Sequence, residues 1–491
     1  MNKRDQKKFE IICKELKDFS RKQMKKSHYN KALAGIANCA QLYYAYNQFY
    51  TDDILEDMVQ DIAVTIVNKR QKELENYKAD KNTVLFYDGF GLDTRGIAIM
   101  YINALCKVGY HVVYVIPEKA RHMQPEIHRV AEGYPVDFVY YQNKYSYYDR
   151  AIEFYQIIYR YKPKTMFFYT RPDDVSATLA FSIYKGKCSR FLIDLTDHAF
   201  WLGTKANDFF ICGRDMGAFI QYFKRGISKD KLLRLDVNLL VEDTTEHDGL
   251  PFDIEHCPYV FSGGALYKTL SDRKNTFYRI VEHMLLKHPQ IKFLYAGSGD
   301  DTEMMKLVQK FKNQIFLISE RRDFYYLIQH AVLYLNTYPM FGGMMMRYAA
   351  LAGRIPVTLR HGKDAEGILI DQEKVGVMYD TYDEIIEDID KLLEDDDYRH
   401  KREQLLKGTV MTEDDFIRNI YLLIEKNQTE YMHSFKEFDT LEFQMEFYKR
   451  FDLEKALYST VKRENVCLIR HFSWIQKIIF RKVLDKVREK F

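Results

Sequence analysis

The sequence predicts an α/β protein of two doubly wound domains in succession, with helices at both ends. Three observations carry this. Six short apolar runs alternate with helix-length segments between residues 80 and 245, and a second series begins at 259. A polar, irregular stretch at 241–256 (VEDTTEHDGLPFDIEH) separates the two series. Within the second, residues 332–371 (VLYLNTYPMFGGMMMRYAALAGRIPVTLRHGKDAEGILID) read as strand, glycine turn, helix, strand and polar loop. Apolar runs alternating with helices are the pattern of βαβ units around a parallel sheet. At 491 residues the chain is long for one domain, and 47% apolar content suffices for large cores.

The expected organisation is a helical cap at 1–79, a Rossmann-like domain at 80–245, a second at 246–430, and a helical tail at 431–491. In the cap Lys, Glu, Gln and Ala dominate and proline does not occur. Tyr29, Leu33, Ile36, Ala40, Tyr43, Tyr44 and Asn47 approximate one helical stripe. One hairpin here faintly resembles a tetratricopeptide unit, but a solenoid needs about three copies. The cap is therefore expected to pack on the domain that follows it.

In the first series the predicted strands are 83–87, 111–116, 136–141, 165–169, 191–195 and 209–212. The loop 87–96 (YDGFGLDTRG) leaves the first strand and opens a helix, with Asp93 as its cap. Ligands gather at the carboxyl ends of such strands, so Asp93 and Arg95 are candidate ligand-binding residues. Asp173, of the pair Asp173-Asp174, is expected to cap a helix. The segment 192–203 (LIDLTDHAFWLG) leaves a buried strand and carries Asp197, His198 and Trp201. A histidine there can act as general base, with Asp197 orienting it, and Trp201 offers an aromatic face to a ligand.

In the second series the predicted strands are 259–262, 292–296, 315–318, 332–336, 355–359 and 375–379, and acidic helices follow at 383–394 and 413–425. Gly342 and Gly343 feed a helix N-terminus, where backbone N–H groups and the positive dipole end suit a phosphate. Two such domains joined by a linker place a cleft between their strand ends, a favoured ligand position.

Other features set limits. Net charge is +3, giving no reason to expect nucleic-acid binding. Proline, at 10 residues, lies well below the usual ~5%. The cysteines at 13, 39, 106, 188, 212, 257 and 467 form no CxxC pair, which fits reduced thiols rather than disulfides or a zinc site. The opening MNKRDQKKFE is charged rather than apolar, and no run of about 18 apolar residues occurs, so neither a secretory signal nor a membrane span is expected. Residues 466–491 (VCLIRHFSWIQKIIFRKVLDKVREKF) place Leu468, Phe472, Ile475, Ile479, Val483 and Val487 on one face against a basic remainder. That reads as a surface anchor for an anionic membrane, or as a terminal helix packed on the body. A cytoplasmic location, peripheral at the inner face of the cell membrane, is expected.

Three segments carry a family resemblance. Residues 261–268 (FSGGALYK) stand at the first strand end of the second domain. Residues 320–337 (ERRDFYYLIQHAVLYLNT) run from a loop through a helix into a strand, and residues 335–357 follow with the glycine turn and helix. In order and spacing they resemble the GT-B glycosyltransferases, in particular the O-GlcNAc-transferase-like and group 1 type bacterial enzymes. The resemblance covers residues 255–430 at the level of motifs and 80–245 at the level of fold. It implies two Rossmann-like domains facing across a cleft, and a donor site of Gly263, Gly264, Lys268, Glu320, Arg321, Gly342, Gly343, Met344 and Glu366. It also implies His198 and Asp197 as the catalytic pair, Asp93, Arg95 and Trp201 on the acceptor side with Trp201 stacked on a sugar ring, and transfer without a metal or other cofactor. The implied reaction moves a hexose or N-acetylhexosamine from a nucleotide sugar, UDP-linked, to a cell-surface glycan intermediate or a protein. The chain departs from the family's pattern where a His-Thr-Thr run is usual, having Gly343, Met344 and Met345, so this turn would hold the phosphate mainly with backbone amides. The alternative expectation is a non-catalytic GT-B subunit that binds a glycosyltransferase partner or a substrate protein.

Overall fold

A computed structural model describes residues 3–91, 97–142, 146–239, 241, 249–254, 256–270, 272–361 and 367–460. The chain divides into two compact units. The first comprises residues up to Gly213, Gly217–Leu235 and the chain from Ile417 onward; the second comprises Arg214–Met216 and Asp236–Phe416. The divisions at 235/236 and 416/417 fall ten and fourteen residues before those expected from composition, at 245/246 and 430/431. The basic segment 466–491 lies outside the described residues.

The first unit begins with helices Lys3–Lys25, Tyr29–Tyr46, Asp53–Lys69 and Gln71–Glu75. The second of these departs from the single-stripe expectation. Ala32, Leu33, Ala34, Gly35, Ile36, Ala37, Asn38, Cys39 and Ala40 are all buried, so this helix is covered on every side over two turns. Its small residues permit the close approach: a Cβ on Gly35 would stand 2.2 Å from Ser20 Oγ. The helix ends at Asn47, in the left-handed conformation with φ 49. Asp52 starts the next helix by accepting from the Ile54 and Leu55 amides, and pairs with Lys17 at 2.8 Å.

Seven parallel strands follow: β1 (Asp80–Asp88), β2 (His111–Pro117), β3 (Val136–Tyr141), β4 (Pro163–Tyr169), β5 (Ser189–Ile193), β6 (Phe209–Cys212) and β7 (Leu232–Arg234). Their order is β3-β2-β1-β4-β5-β6-β7. The last six residues of β1 are all buried, as a sheet covered on both faces requires. β7 was not expected, because three residues are too few to show a pattern. Leu16, Ile36 and Ile62 of the helical layer share one core with Phe168, Phe181 and Leu192 of the sheet region. The compositional boundary at 79/80 therefore does not separate two cores. Leu453, Ala456 and Leu457, from the helix Leu453–Thr460, close the same core.

The second unit holds β8 (Tyr259–Gly263), β9 (Lys292–Ala296), β10 (Ile315–Ile318), β11 (Leu333–Leu335), β12 (Pro356–Leu359) and β13 (Met378–Tyr379). Their order is β10-β9-β8-β11-β12-β13, all parallel, with apolar clusters on both faces. In each unit strand order reverses once, between β1 and β4 and between β8 and β11. Such switch points open a crevice at the carboxyl ends of the strands. Among the described residues no helix is long and apolar enough to cross a membrane.

Candidate functional site

The second unit's switch point is built from backbone. β8 runs out into Gly263 and Gly264, and Gly264 takes φ +131, a conformation that side chains rarely adopt. Its amide donates to Ala296 O at 2.9 Å and its carbonyl accepts from Tyr295 Oη at 3.0 Å. The loop after β9 presses on it: a Cβ on Gly297 would lie 2.0 Å from Gly264 O. The next turn brings Lys268 back, so that Nζ lies 4.0 Å from where a Gly264 Cβ would stand.

Lys268 is the charged group of this crevice. It is half-buried, and burial alone pushes its ammonium pKa below the usual lysine range. Among the described residues its ammonium forms no hydrogen bond or ion pair. A desolvated cation without a carboxylate is costly unless an anion arrives from outside.

The other wall is the turn after β11. Asn336, 2% exposed, organises it: its Oδ1 accepts from the amides of Thr337 (3.0 Å) and Gly342 (2.8 Å), and its Nδ2 donates to Thr358 Oγ1 (3.1 Å). The turn is tied to the Lys268 segment, since Met340 N donates to Lys268 O at 3.2 Å. The helix Gly343–Leu351 then starts with no side-chain cap, and the first amide returned to the turn is Met346 N, to Gly342 O. The amides of Gly343, Met344 and Met345 have no acceptor among the described residues. Met345 Cε lies 3.7 Å from the Gly263 Cβ position, which brings the two walls together. Lysine and amides thus belong to neighbouring turns at the ends of β8 and β11, a set of donors suited to a phosphate.

The remaining donor-side candidates are placed less openly. Glu320, exposed, accepts from Ser298 Oγ at 2.9 Å across the ends of β9 and β10. Arg321 is held in a two-point pair with Asp323 and also donates to Gly249 O. Its side chain is 11% exposed, so the guanidinium is engaged within the fold. Met344 packs its side chain against the apolar cluster and offers only its amide. Glu366, Asp93 and Arg95 lie outside the described residues.

In the first unit the loop after β5 carries the acidic and histidine candidates. His198 Nδ1 stands 3.3 Å from Asp197 Oδ1. Although adjacent in sequence, the two side chains converge. Behind them Asp194 accepts from Gln221 Nε2, and its other oxygen is buried without a partner. Burial first, then the neighbouring Asp197 charge, raises the Asp194 carboxyl to about 7. Arg225, which follows β6 in the chain, reaches this loop, donating to Ala199 O and Tyr50 O, and burial lowers its pKa to about 10. Trp201 is not available to a sugar. It is 3% exposed, with the Arg225 guanidinium 4.1 Å from its ring and Phe210 stacked at 5.9 Å. Asp174, rather than Asp173, caps the helix Val175–Ile183 through Ala177 N, while Asp173 accepts from Gln41.

Sequence reasoning did not single out Asn336, Asp194 or Arg225. Asn336 had a readable signal, an amide side chain between an apolar strand and a glycine turn. Asp194 and Arg225 had none, since their roles arise from contacts across 27 and 26 residues.

Two doubly wound units of this kind define the GT-B fold, and the chain adopts it. No family model matches the chain, and no curated protein matches it. The likeness to solved structures is one of fold. A glycosyltransferase from Rickettsia africae ESF-5 superposes with a TM-score of 0.53 at 13% identity, over 71% of this chain and 100% of that one. A UDP-N-acetylglucosamine 2-epimerase assignment from Listeria monocytogenes gives 0.52 at 10%, over 71% and 97%. A Thermobaculum terrenum O-GlcNAc transferase spans more, 89% and 81%, at 13% identity, but its TM-score of 0.44 carries no argument.

Proposed function

We propose that this chain is a nucleotide-sugar-dependent glycosyltransferase whose second unit holds the donor diphosphate. The observation that carries the reading is Lys268, a half-buried ammonium with no counter-ion among the described residues, beside the uncapped amides of Gly343–Met345. A nucleotide sugar breaks its anomeric C–O bond as negative charge builds on the diphosphate. A fixed cation and aligned N–H donors stabilise that charge without reorganising. The donor is proposed to be UDP-linked and the transferred group a hexose or N-acetylhexosamine, with no metal required.

The first unit is assigned the acceptor, a cell-surface glycan intermediate or a protein. With Nδ1–H donating to Asp197, the basic lone pair of His198 lies on Nε2, the atom that would take the acceptor hydroxyl proton. Placement at the inner face of the membrane through 466–491 belongs to the same proposal. Liposome sedimentation with and without that segment tests it, and equal binding would dismiss it.

Thermal-shift titration with UDP, GDP and their sugars tests the donor site. A melting temperature that rises with a nucleotide diphosphate supports the reading. No rise with any of them would favour a non-catalytic GT-B subunit, consistent with hydroxyl side chains missing at Gly343, Met344 and Met345.

A further inference from the structure

The first unit spends buried polar groups in one place, and they come from the N-terminal helical layer. Glu56, 1% exposed, sends its carboxylate to three consecutive amides: Gly203 N at 2.7 Å, Thr204 N at 3.2 Å and Lys205 N at 3.2 Å. Asn47, fully buried at the left-handed end of its helix, donates from Nδ2 to His198 O at 3.0 Å. Arg225 ties the Tyr50 carbonyl, between those two helices, to the Ala199 carbonyl. All three contacts fall on the loop 194–205 that carries Asp197 and His198.

Packing alone does not call for this. An apolar side chain at position 56 would cover the sheet at lower cost, because a carboxylate taken from water is unfavourable unless every lone pair is used. Burial does raise the Glu56 carboxyl above its usual range, and the three backbone amides pull it back. The loop has apolar anchors as well, Phe200 against Tyr43 of the helical layer and Trp201 against Phe210 of the sheet. The polar contacts add direction, which apolar contacts lack.

We infer that Glu56 and Asn47 are positioning residues: the N-terminal helical layer fixes the loop 197–205 and thereby the orientation of the His198 imidazole. The inference rests on the reading of His198 as the proton acceptor. It makes the helical layer part of the reaction machinery rather than a cover. A shift of about 1 Å in a reacting group can cost as much as 100-fold in rate, so loosening this clamp should be visible in turnover before it is visible in donor binding.

The test compares the full-length protein with Glu56→Gln and Asn47→Ala. Glu56→Gln keeps the volume but loses one acceptor oxygen and turns an NH2 toward an amide N–H. Two readouts are taken: the His198 ring signal by NMR with labelled histidine, assigned through His198→Gln, and kcat and KM with a nucleotide sugar. The expected result is a displaced His198 signal, with kcat reduced about tenfold or more and donor KM within about twofold. Folded variants whose His198 signal and kcat match the parent would overturn the inference. So would kcat and KM shifting together around an unmoved His198 signal. Should Glu56→Gln fail to fold, Asn47→Ala decides, since it leaves the buried carboxylate in place. Should the parent transfer no sugar, the proposed function falls, and the His198 signal still decides the clamp.

Discussion

Replacing Lys268 by methionine should move stability and ligand affinity in opposite directions. In the unliganded protein the ammonium is half-buried with only desolvation acting on it, which lowers its pKa. A lysine whose folded pKa is below its unfolded value destabilises the fold while charged. That cost is present in full below the folded pKa and vanishes as pH rises through the unfolded value near 10.5. Lys268→Met removes the cost, so the variant should melt at or above the parent temperature at pH 7, with the gap closing above pH 10. Binding behaves the other way. An ammonium about 4 Å from a diphosphate oxygen gains roughly 4 kcal/mol at an effective dielectric of about 20. After desolvation a net of about 1.5–3 kcal/mol is usual for a charge-assisted hydrogen bond. Calorimetric titration with UDP should therefore show affinity falling about 10- to 100-fold. Unchanged affinity would refute the assignment of the diphosphate to this crevice. A variant destabilised by more than about 1 kcal/mol would show that Lys268 is structural.

Further outcomes follow from the same contacts. Asn336→Ala strands the buried amides of Thr337 and Gly342 and should cost about 2–3 kcal/mol by urea denaturation, with nucleotide affinity falling too. Gly297→Ala places a methyl 2.0 Å from Gly264 O, and the forced separation should lower the melting temperature and loosen Lys268 in the same variant. Asp194 holds its proton to about pH 7 when folded but only to about 3.8 when unfolded, so it contributes stability below pH 4 that is lost as pH rises through 7. Asp194→Asn should flatten that slope, gaining on the parent by a few kcal/mol between pH 5 and 8 in denaturant titrations. Arg190, 0% exposed and paired with Asp208 at 2.7 Å, should cost about 3–5 kcal/mol when Asp208 becomes alanine, because the guanidinium is left buried and unpaired.

The sheets were legible because parallel strands covered on both faces are written as short continuous apolar runs, as in Val112–Ile116 of β2. Twelve of the thirteen strands could be placed that way, and β7 could not. The cap was legible as helix but not as part of the first core, since alanines and Gly35 look alike whether they face one neighbour or four. At the candidate sites, glycines announced themselves through the turns they permit. Lys268 was readable by its distance from Gly264. Trp201 misled because an aromatic in a loop looks the same in sequence whether its faces are open or taken by Arg225. Asp194, Arg225, Glu56 and Asn47 matter through partners far along the chain, and no local pattern marks such pairs.

The first unit is discontinuous in sequence, and this has a consequence for synthesis. The second unit is almost wholly one continuous stretch, Asp236–Phe416, and its core can close as soon as that stretch leaves the ribosome. The first unit's core waits for Leu453, Ala456 and Leu457, more than 200 residues after its last strand. Until they arrive, Phe9 and Tyr46 lack the ring of Phe451 that covers them, at 5.6 Å and 5.1 Å. The first unit, begun before the second, is thus finished after it, and a nascent chain stalled before residue 450 would carry a complete second unit and an open, aromatic first one.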